Sequence, residues 1–417
     1  MWETLRNAWH VPDLRKKLLY TLGMLLLYRL IGVIPVPGID TAQVANAISG
    51  SADLLGMMNM MTGNSFQNMT IMAMGITPYI NASIILQLLT IAIPALERLQ
   101  KEGEEGRKKI AQITRYVTVG LGFVTAIGLV SGLGGMIQKN VFSYITVGLS
   151  MAAGTALSMW IGERITQNGI GNGISLLIFA GIISNLFNGV VSGIQNVILG
   201  TYQWYSILLL IVGAVVLIAI VTYFDMGERR VRVQYAKRVV GRKMYGGQST
   251  HIPMKVNSNG VLPLIFAYSF MAFPSTILQF WPKSGIAQWW EANMSYYSWG
   301  YLAITALLII AFTYFYTSIS FNPQEISKNL QQNGGMIPGI RQGKQTVDYL
   351  KGISRRLTLF SAVFLAVLST VPTLLTLLLG VSVPFGASSL LIAVSVAIET
   401  ARALESQLVM RNYKGFL

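Results

Sequence analysis

The sequence predicts an all-α polytopic membrane protein with ten transmembrane helices, built as two inverted five-helix halves. Three observations carry this reading. The 417-residue chain is 53% hydrophobic and only 11% charged, with mean hydropathy +0.54. Apolar runs of about 20 residues, long enough to cross a bilayer, recur from end to end. The basic residues fall almost entirely on alternate connections, and two short motifs return five spans apart. A membrane barrel would show short alternating strands instead.

The first apolar run, 18–34, follows Arg15, Lys16 and Lys17, the charge pattern of a signal peptide. It has no small-x-small cleavage site, Arg29 interrupts it, and Pro35 and Pro37 follow, so it reads as a retained first span. The other spans lie at about 70–93, 116–137, 141–162, 173–195, 205–224, 260–281, 300–320, 357–379 and 386–405. Of the 31 Lys and Arg residues, Arg29 lies inside a span, and Lys139 and Lys283 fall on the outer side. The rest lie at the termini or on connections of one side, as the positive-inside rule requires when both ends are cytoplasmic.

Two connections on the basic side, 225–259 and 321–356, are larger than topology needs. The alternation Arg230–Val231–Arg232–Val233–Gln234–Tyr235 in the first suggests a strand or hairpin. A turn-rich linker carrying topogenic charge is the plainer reading. A docking platform for a cytosolic partner with acidic surface, a protein or a ribonucleoprotein, accounts better for the excess charge. On the outer side, "ADLLGMMNMMTGNSF" (52–66) is apolar but too short to span. It reads as a short helix or re-entrant segment, or as a helix lying on the membrane, softened by Met57, Met58, Met60 and Met61.

The repeat comes from two pairs of motifs. "GITPYI" (75–80) opens the second span and "GVLPLI" (260–265) the seventh, both Gly-Φ-x-Pro-x-Ile. "SLLI" occurs at 175–178 in the fifth span and at 389–392 in the tenth. An offset of five spans is odd, so the second half, 201–417, enters the membrane from the side opposite to the first, 1–200. Such inverted repeats place their functional site near the midplane between halves.

The missing chemistry is also informative. The chain has no cysteine and only two histidines, His10 and His251, both outside the spans. It has no Cys/His metal spacing, no phosphate-binding G-x-x-x-x-G-K loop and no Gly-x-Ser-x-Gly elbow. We therefore expect no enzyme, no bound metal, no cofactor and no nucleotide hydrolysis by this chain. The ionisable groups in or beside spans are Arg29, the Glu163–Arg164 pair, Glu399, Arg402 and Glu405. None is a midplane carboxylate of the kind an ion-coupled transporter uses. That counts against a secondary transporter with five-plus-five inverted repeats, the main alternative. A membrane scaffold that binds ribosomes through its basic loops and conducts nothing is a third class. The starts of spans 2, 5, 7 and 10 offer isoleucine rather than a small-ligand pocket.

The second span carries Pro78, Asn81 and Gln87. Pro78 frees the carbonyl near Met74 and predicts a kinked or newly started helix. Asn81 and Gln87 must find partners in hydrocarbon. They are either interhelical glue, about 0.6–2 kcal/mol per hydrogen bond, or contacts of a seam between helices that must open.

At this point the residues match a known family. The chain resembles the bacterial SecY family of protein-conducting channels over essentially its whole length. The segments that carry the resemblance include "IPVPGID" (34–40), "MAMGITPYINASIILQLL" (72–89), "KEGEEGRKKIAQITRY" (101–116), "GERITQNGIGNGISLLIFAGI" (162–182), "YAKRVVGR" (235–242), "GGQSTHIPMKVNSNGVLPLIFA" (246–267), "FNPQEISKNLQQNGGMIPGIRQGKQT" (321–346) and "ESQLVMRNYKGF" (405–416).

The resemblance implies two five-helix halves clasping a central hourglass pore. On the matching motifs the pore ring is Ile76, Ile80, Ile174, Ile178, Ile265 and Ile392. It implies a plug at about 52–65 containing the four methionines, and a lateral gate between spans 2–3 and 7–8, with Asn81 and Gln87 on the second span. The basic loops match the docking surface for the motor ATPase SecA or a translating ribosome. There Arg341 is the first candidate, followed by Arg242 and Lys243, with Lys237 and Arg238 beside them. The other partners implied are SecE and SecG, signal peptides, unfolded preproteins and membrane lipid, with no direct DNA binding. The implied location is the bacterial plasma membrane.

Overall fold

The structure is a computed structural model. It describes residues 6, 8–39, 62–132, 141–199, 204–235, 238–240, 243–245, 249–278, 281, 284–294, 298–379 and 387–414. The chain is helical, with a small β unit at one end of the bundle.

Helix α1 (Pro12–Ile31) starts with Pro at its first turn, where the missing N–H costs nothing. Asp13 in the first turn and Arg29 in the last suit the helix dipole. Leu19, Leu22, Leu26 and Leu30 form an exposed stripe at helical spacing, the surface expected to face lipid. The chain then turns back at 34–36, where Val36 N donates to Met69 O (2.9 Å) and Ile71 N to Ile34 O (2.9 Å).

The second predicted span is shorter than expected. Thr70 forms an isolated antiparallel bridge with Pro35, residues 71–76 lie in turns, and α2 (Thr77–Ala92) begins one residue before Pro78. The restart expected at Pro78 is present, and the carbonyl of Met74 accepts from Thr77 N (3.3 Å). Ile93 is extended because it precedes Pro94, so the chain bends by 98° into α3 (Pro94–Lys101). Helices α4 (Glu104–Gly132) and α5 (Val141–Asn168) pack side by side. Arg115 and Glu163 join them by a two-pronged ion pair, Nε–Oε1 2.9 Å and Nη2–Oε2 2.8 Å. Glu163 thus pairs with Arg115 and not with Arg164, which bonds Gln167 and lies over the Trp160 ring. Adjacent helical residues point in different directions, so the sequence neighbour is the wrong partner.

The tight "GIGNG" connection leads into α6 (Gly173–Ile198), where Asn172 Oδ1 caps Ile174 N and Ser175 N. Helix α7 (Trp204–Asp225) follows, then β1 (Glu228–Tyr235), β2 (Arg238–Val240), β3 (Lys243–Tyr245) and β4 (Ser249–Lys255). The second half continues with α8 (Leu262–Leu278), α9 (Gly285–Asn293), α10 (Trp299–Ser320), α11 (Pro323–Gln332), β5 (Gly335–Met336), α12 (Lys344–Leu379) and α13 (Ala387–Lys414).

The expected strand over 230–235 is β1. It pairs antiparallel with β4 (Val231 opposite Ile252) and with β5 (Tyr235 opposite Gly335). The sheet order β4-β1-β5 therefore joins the two large connections into one unit. Val231, Val233, Met254, Leu330, Ile337, Leu350 and Ile353 form its core. Burying each large aliphatic side chain there is worth about 1.5–3 kcal/mol. Residues 344–356, expected as part of a connection, are instead the first turns of α12. This helix has 36 residues. At 1.5 Å each it is about 54 Å long, well beyond a hydrocarbon core of about 30 Å. By length and composition, four helices among the described residues qualify as membrane-crossing, or five if the bent α2–α3 pair is one span.

Candidate functional site

The predicted ring residues meet. Ile76, Ile80, Ile178, Ile265 and Ile392 are all buried in one hydrophobic cluster, and half-buried Ile174 packs against it. They come from four helices: α2 and its N-cap, α6, α8 and α13. Ile76 and Ile80 share a helix face, because Ile76 caps α2 and accepts from Ile80 N (3.1 Å). A cavity of about 10 Å³ lies between Tyr28, Thr62, Ile76, Thr77, Ile80, Leu177 and Ile178. That is about the smallest space that holds one water molecule. The cluster is closely packed here. The isoleucine side chains carry no hydrogen-bonding group, and the polar side chains at the cavity are those of Tyr28, Thr62 and Thr77.

Arg29 is a charge within a greasy helix, and it is held by backbone. Its Nη1 donates to Gly63 O (3.4 Å), and its Nη2 donates to Ala180 O on α6. It therefore ties α1 and α6 to the segment that leads into α2. That segment is itself fixed: Phe66, Met69, Ala73 and Met74 pack with Ala126, Leu129, Val130, Val147 and Met151 of α4 and α5. A side chain at Gly154 of α5 would overlap the Ile71 carbonyl, so only glycine permits this approach. The four methionines of the expected plug, Met57, Met58, Met60 and Met61, lie outside the described residues.

The seam residues divide. Tyr316 Oη of α10 donates to Gln87 Oε1 of α2 at 2.5 Å. Asn81 is half-buried on α2, and its side chain makes no hydrogen bond among the described residues. Tyr316 also packs on Phe266 of α8, ring centroids 4.9 Å apart. Asn259, just before α8, donates through Nδ2 to Thr317 Oγ1 (2.7 Å) and to Thr313 O (3.4 Å), and accepts from Ser320 Oγ (2.9 Å). The α8–α10 joint is thus closed by several polar contacts and aromatic packing, while a single side-chain hydrogen bond between described residues spans α2 and α10. Sequence reasoning missed Tyr316, Phe266 and Asn259. The hydroxyl-bearing ring in an apolar run was the available signal, since a buried Tyr needs a partner.

On the β unit, Arg341 is exposed in the β5–α12 turn. The turn is built to present it. Gly339 and Gly343 have φ of +82° and +88°, Arg341 O accepts from Thr346 Oγ1 (2.9 Å), and Gly343 O accepts from Ser327 Oγ (3.1 Å). Arg238 and Lys243 lie on the β2–β3 hairpin, and Lys237 and Arg242 fall outside the described residues. Among the described residues no cluster of His, Cys, Asp and Glu could hold a metal ion.

Comparison with known proteins fits this geometry. The SecY family model matches residues 70–401. The chain is 42% identical to the protein translocase subunit SecY of Streptomyces galbus over 99% of this chain and 98% of that one. It is 41% identical to the Bacillus subtilis subunit of the same name over 100% of both chains. Among solved structures it resembles a protein-conducting channel with TM-score 0.70 and 20% identity, covering 94% of this chain and 92% of the other. Sec61 from a canine ribosome-channel complex matches with TM-score 0.67 and 20% identity, over 94% and 92% of the two chains. At these identities the structural likeness speaks for the fold alone.

Proposed function

The chain belongs to the SecY family, and we propose on that premise that polypeptide passes through the ring formed by Ile76, Ile80, Ile174, Ile178, Ile265 and Ile392. The protein is the membrane-embedded, protein-conducting channel subunit of the translocase; it is a conduit and not an enzyme. The reading of the ring rests on one observation: isoleucines of α2, α6, α8 and α13 share a closely packed apolar cluster. Ten spans in two inverted halves, 1–200 and 201–417, would place two of these helices in each half. The segment at about 52–65 is the plug that covers the ring at rest.

The lateral gate lies between α2–α4 and α8–α10, with Gln87 bonded to Tyr316 and Asn81 earlier on the same helix. Signal peptides and membrane segments of unfolded preproteins leave through it into lipid. The β unit, with Arg341 at its exposed turn, docks the SecA ATPase or a ribosome, helped by the basic residues Lys237, Arg238, Arg242 and Lys243 of the first large connection. SecE clamps the halves and SecG lies at the periphery. The channel sits in the bacterial plasma membrane with both termini cytoplasmic. A stalled preprotein tests the pore: a cysteine placed at Ile80 should crosslink to it, and one at exposed Leu26 on the lipid-facing stripe of α1 should not. Crosslinking at Leu26 without crosslinking at Ile80 would sink the reading.

A further inference from the structure

A cleft of about 550 Å³ opens where α10 ends, α11 begins and α12 passes. Its size suits a small polar ligand. Lys351 and Arg355 line it, one helical turn apart on the same face of α12. Neither is in an ion pair among the described residues, both are exposed, and no carboxylate lines the cleft. Ser354 and Gln324 add polar groups, and Tyr314 and Phe321 close an apolar wall.

The level of the cleft decides what would fill it. One turn beyond Arg355, α12 becomes an exposed apolar stripe: Leu359 (56%), Phe360 (59%), Val363 (48%) and Val367 (51%). On α10, Ile319 is the last exposed large aliphatic residue before the helix ends at Ser320. The cleft therefore lies at the border between lipid-facing and water-facing surface. A cationic pocket at that depth, between membrane helices, suits a phosphate carried by lipid, and the guanidinium of Arg355 can hold it through two parallel N–H groups. We propose that this cleft binds the headgroup of one anionic phospholipid, with Lys351 and Arg355 on the phosphate and the acyl chains lying along Leu359 and Phe360. The inference rests on the membrane-embedded character of α10 and α12, not on the pore or gate assignments.

Native mass spectrometry of the full-length protein with its copurified subunits tests this, with phosphatidylglycerol and phosphatidylcholine added in parallel. Wild type should retain phosphatidylglycerol over phosphatidylcholine. Lys351→Gln with Arg355→Gln should lower retained phosphatidylglycerol by more than about tenfold, given the contribution of each basic residue at an anionic surface. Arg356→Gln, an exposed cation that does not line the cleft, should behave as wild type, and Arg355→Lys should keep most of the binding. Equal losses in the double variant and in Arg356→Gln would overturn the proposal. So would equal retention of phosphatidylcholine, or displacement of the lipid by low millimolar inorganic phosphate, which would mark a site for the free ion. A double variant that unfolds at the wild-type temperature yet keeps its lipid would also refute it.

Discussion

Tyr316 on α10 donates its hydroxyl proton to the side-chain carbonyl of Gln87 on α2, at 2.5 Å and across 229 residues of sequence. The same ring leans on Phe266 of α8. Tyr316 is thus fixed on the α8–α10 side and reaches over to α2. Parting the seam would break one hydrogen bond at this point and leave the aromatic packing intact. That bond is worth about 0.6–2 kcal/mol within a membrane, and Ile80 and Ile84 of α2 also share the apolar cluster with Leu264 and Ile265 of α8.

Tyr316→Phe and Gln87→Leu should each favour the parted seam. Photocrosslinking of a signal sequence to lipid in reconstituted vesicles reads this, and each variant should raise the crosslinked fraction severalfold. The double variant should add little to either single one, because both remove the same bond. Additive effects would show that the two side chains act separately.

The ring makes a separate claim. Ile80→Gly with Ile178→Gly removes two buried side chains that line the small cavity. The space gained should admit water and with it ions. Resting conductance in a planar bilayer should rise by an order of magnitude or more, while Ile80→Val, which removes one methyl group, should change it little. An unchanged conductance in the glycine pair would mean that the seal lies elsewhere.

The parts of this arrangement differed in how well the sequence announced them. Period-two alternation marked β1, and Pro78 marked the start of α2, because both are local rules of backbone and side-chain placement. Ile76 and Ile80 could be placed on one face by spacing alone. The two-residue strand β5 has no pattern of its own and forms only because β1 offers it an edge. The first turns of α12 are too charged to stand out in a search for apolar runs, yet buried Leu350 and Ile353 carry a helical spacing. The Arg115–Glu163 pair and the Gln87–Tyr316 bond depend on tertiary packing, so no short window contains them.

Arg29 offers a test of how the segment before α2 is held. Its guanidinium satisfies the carbonyls of Gly63 and Ala180, one in a turn and one on α6. Arg29→Met should leave the half-buried Gly63 carbonyl without this donor, at up to about 1–3 kcal/mol, while the Ala180 carbonyl, inside α6, keeps its place in the helical hydrogen-bond ladder. Thermal unfolding in detergent should show a midpoint several degrees lower. Gly63→Ala should do similar damage by another route. Gly63 has φ of +63°, and an added Cβ would collide with the Arg29 guanidinium. A midpoint unchanged in both variants would show that this junction contributes nothing to the resting state.

Arg341 is the clearest case for separating partner docking from stability. Its side chain is exposed, and the turn beneath it is held by the backbone carbonyls of Arg341 and Gly343. Arg341→Glu should therefore leave the unfolding midpoint within experimental scatter, since an exposed substitution of this kind costs at most about 0.5 kcal/mol. Charge reversal opposite an acidic partner should nevertheless weaken docking, and raising the salt should weaken wild-type docking toward the level of the variant. Gly343→Ala should do the reverse of a pure charge change. It keeps Arg341 but strains a residue at φ of +88°, by about 1–2 kcal/mol. It should lower the midpoint and weaken docking with little change in salt dependence. If Arg341→Glu binds SecA and ribosomes as wild type does, the exposed turn is not the docking point, and the β2–β3 hairpin becomes the surface to test.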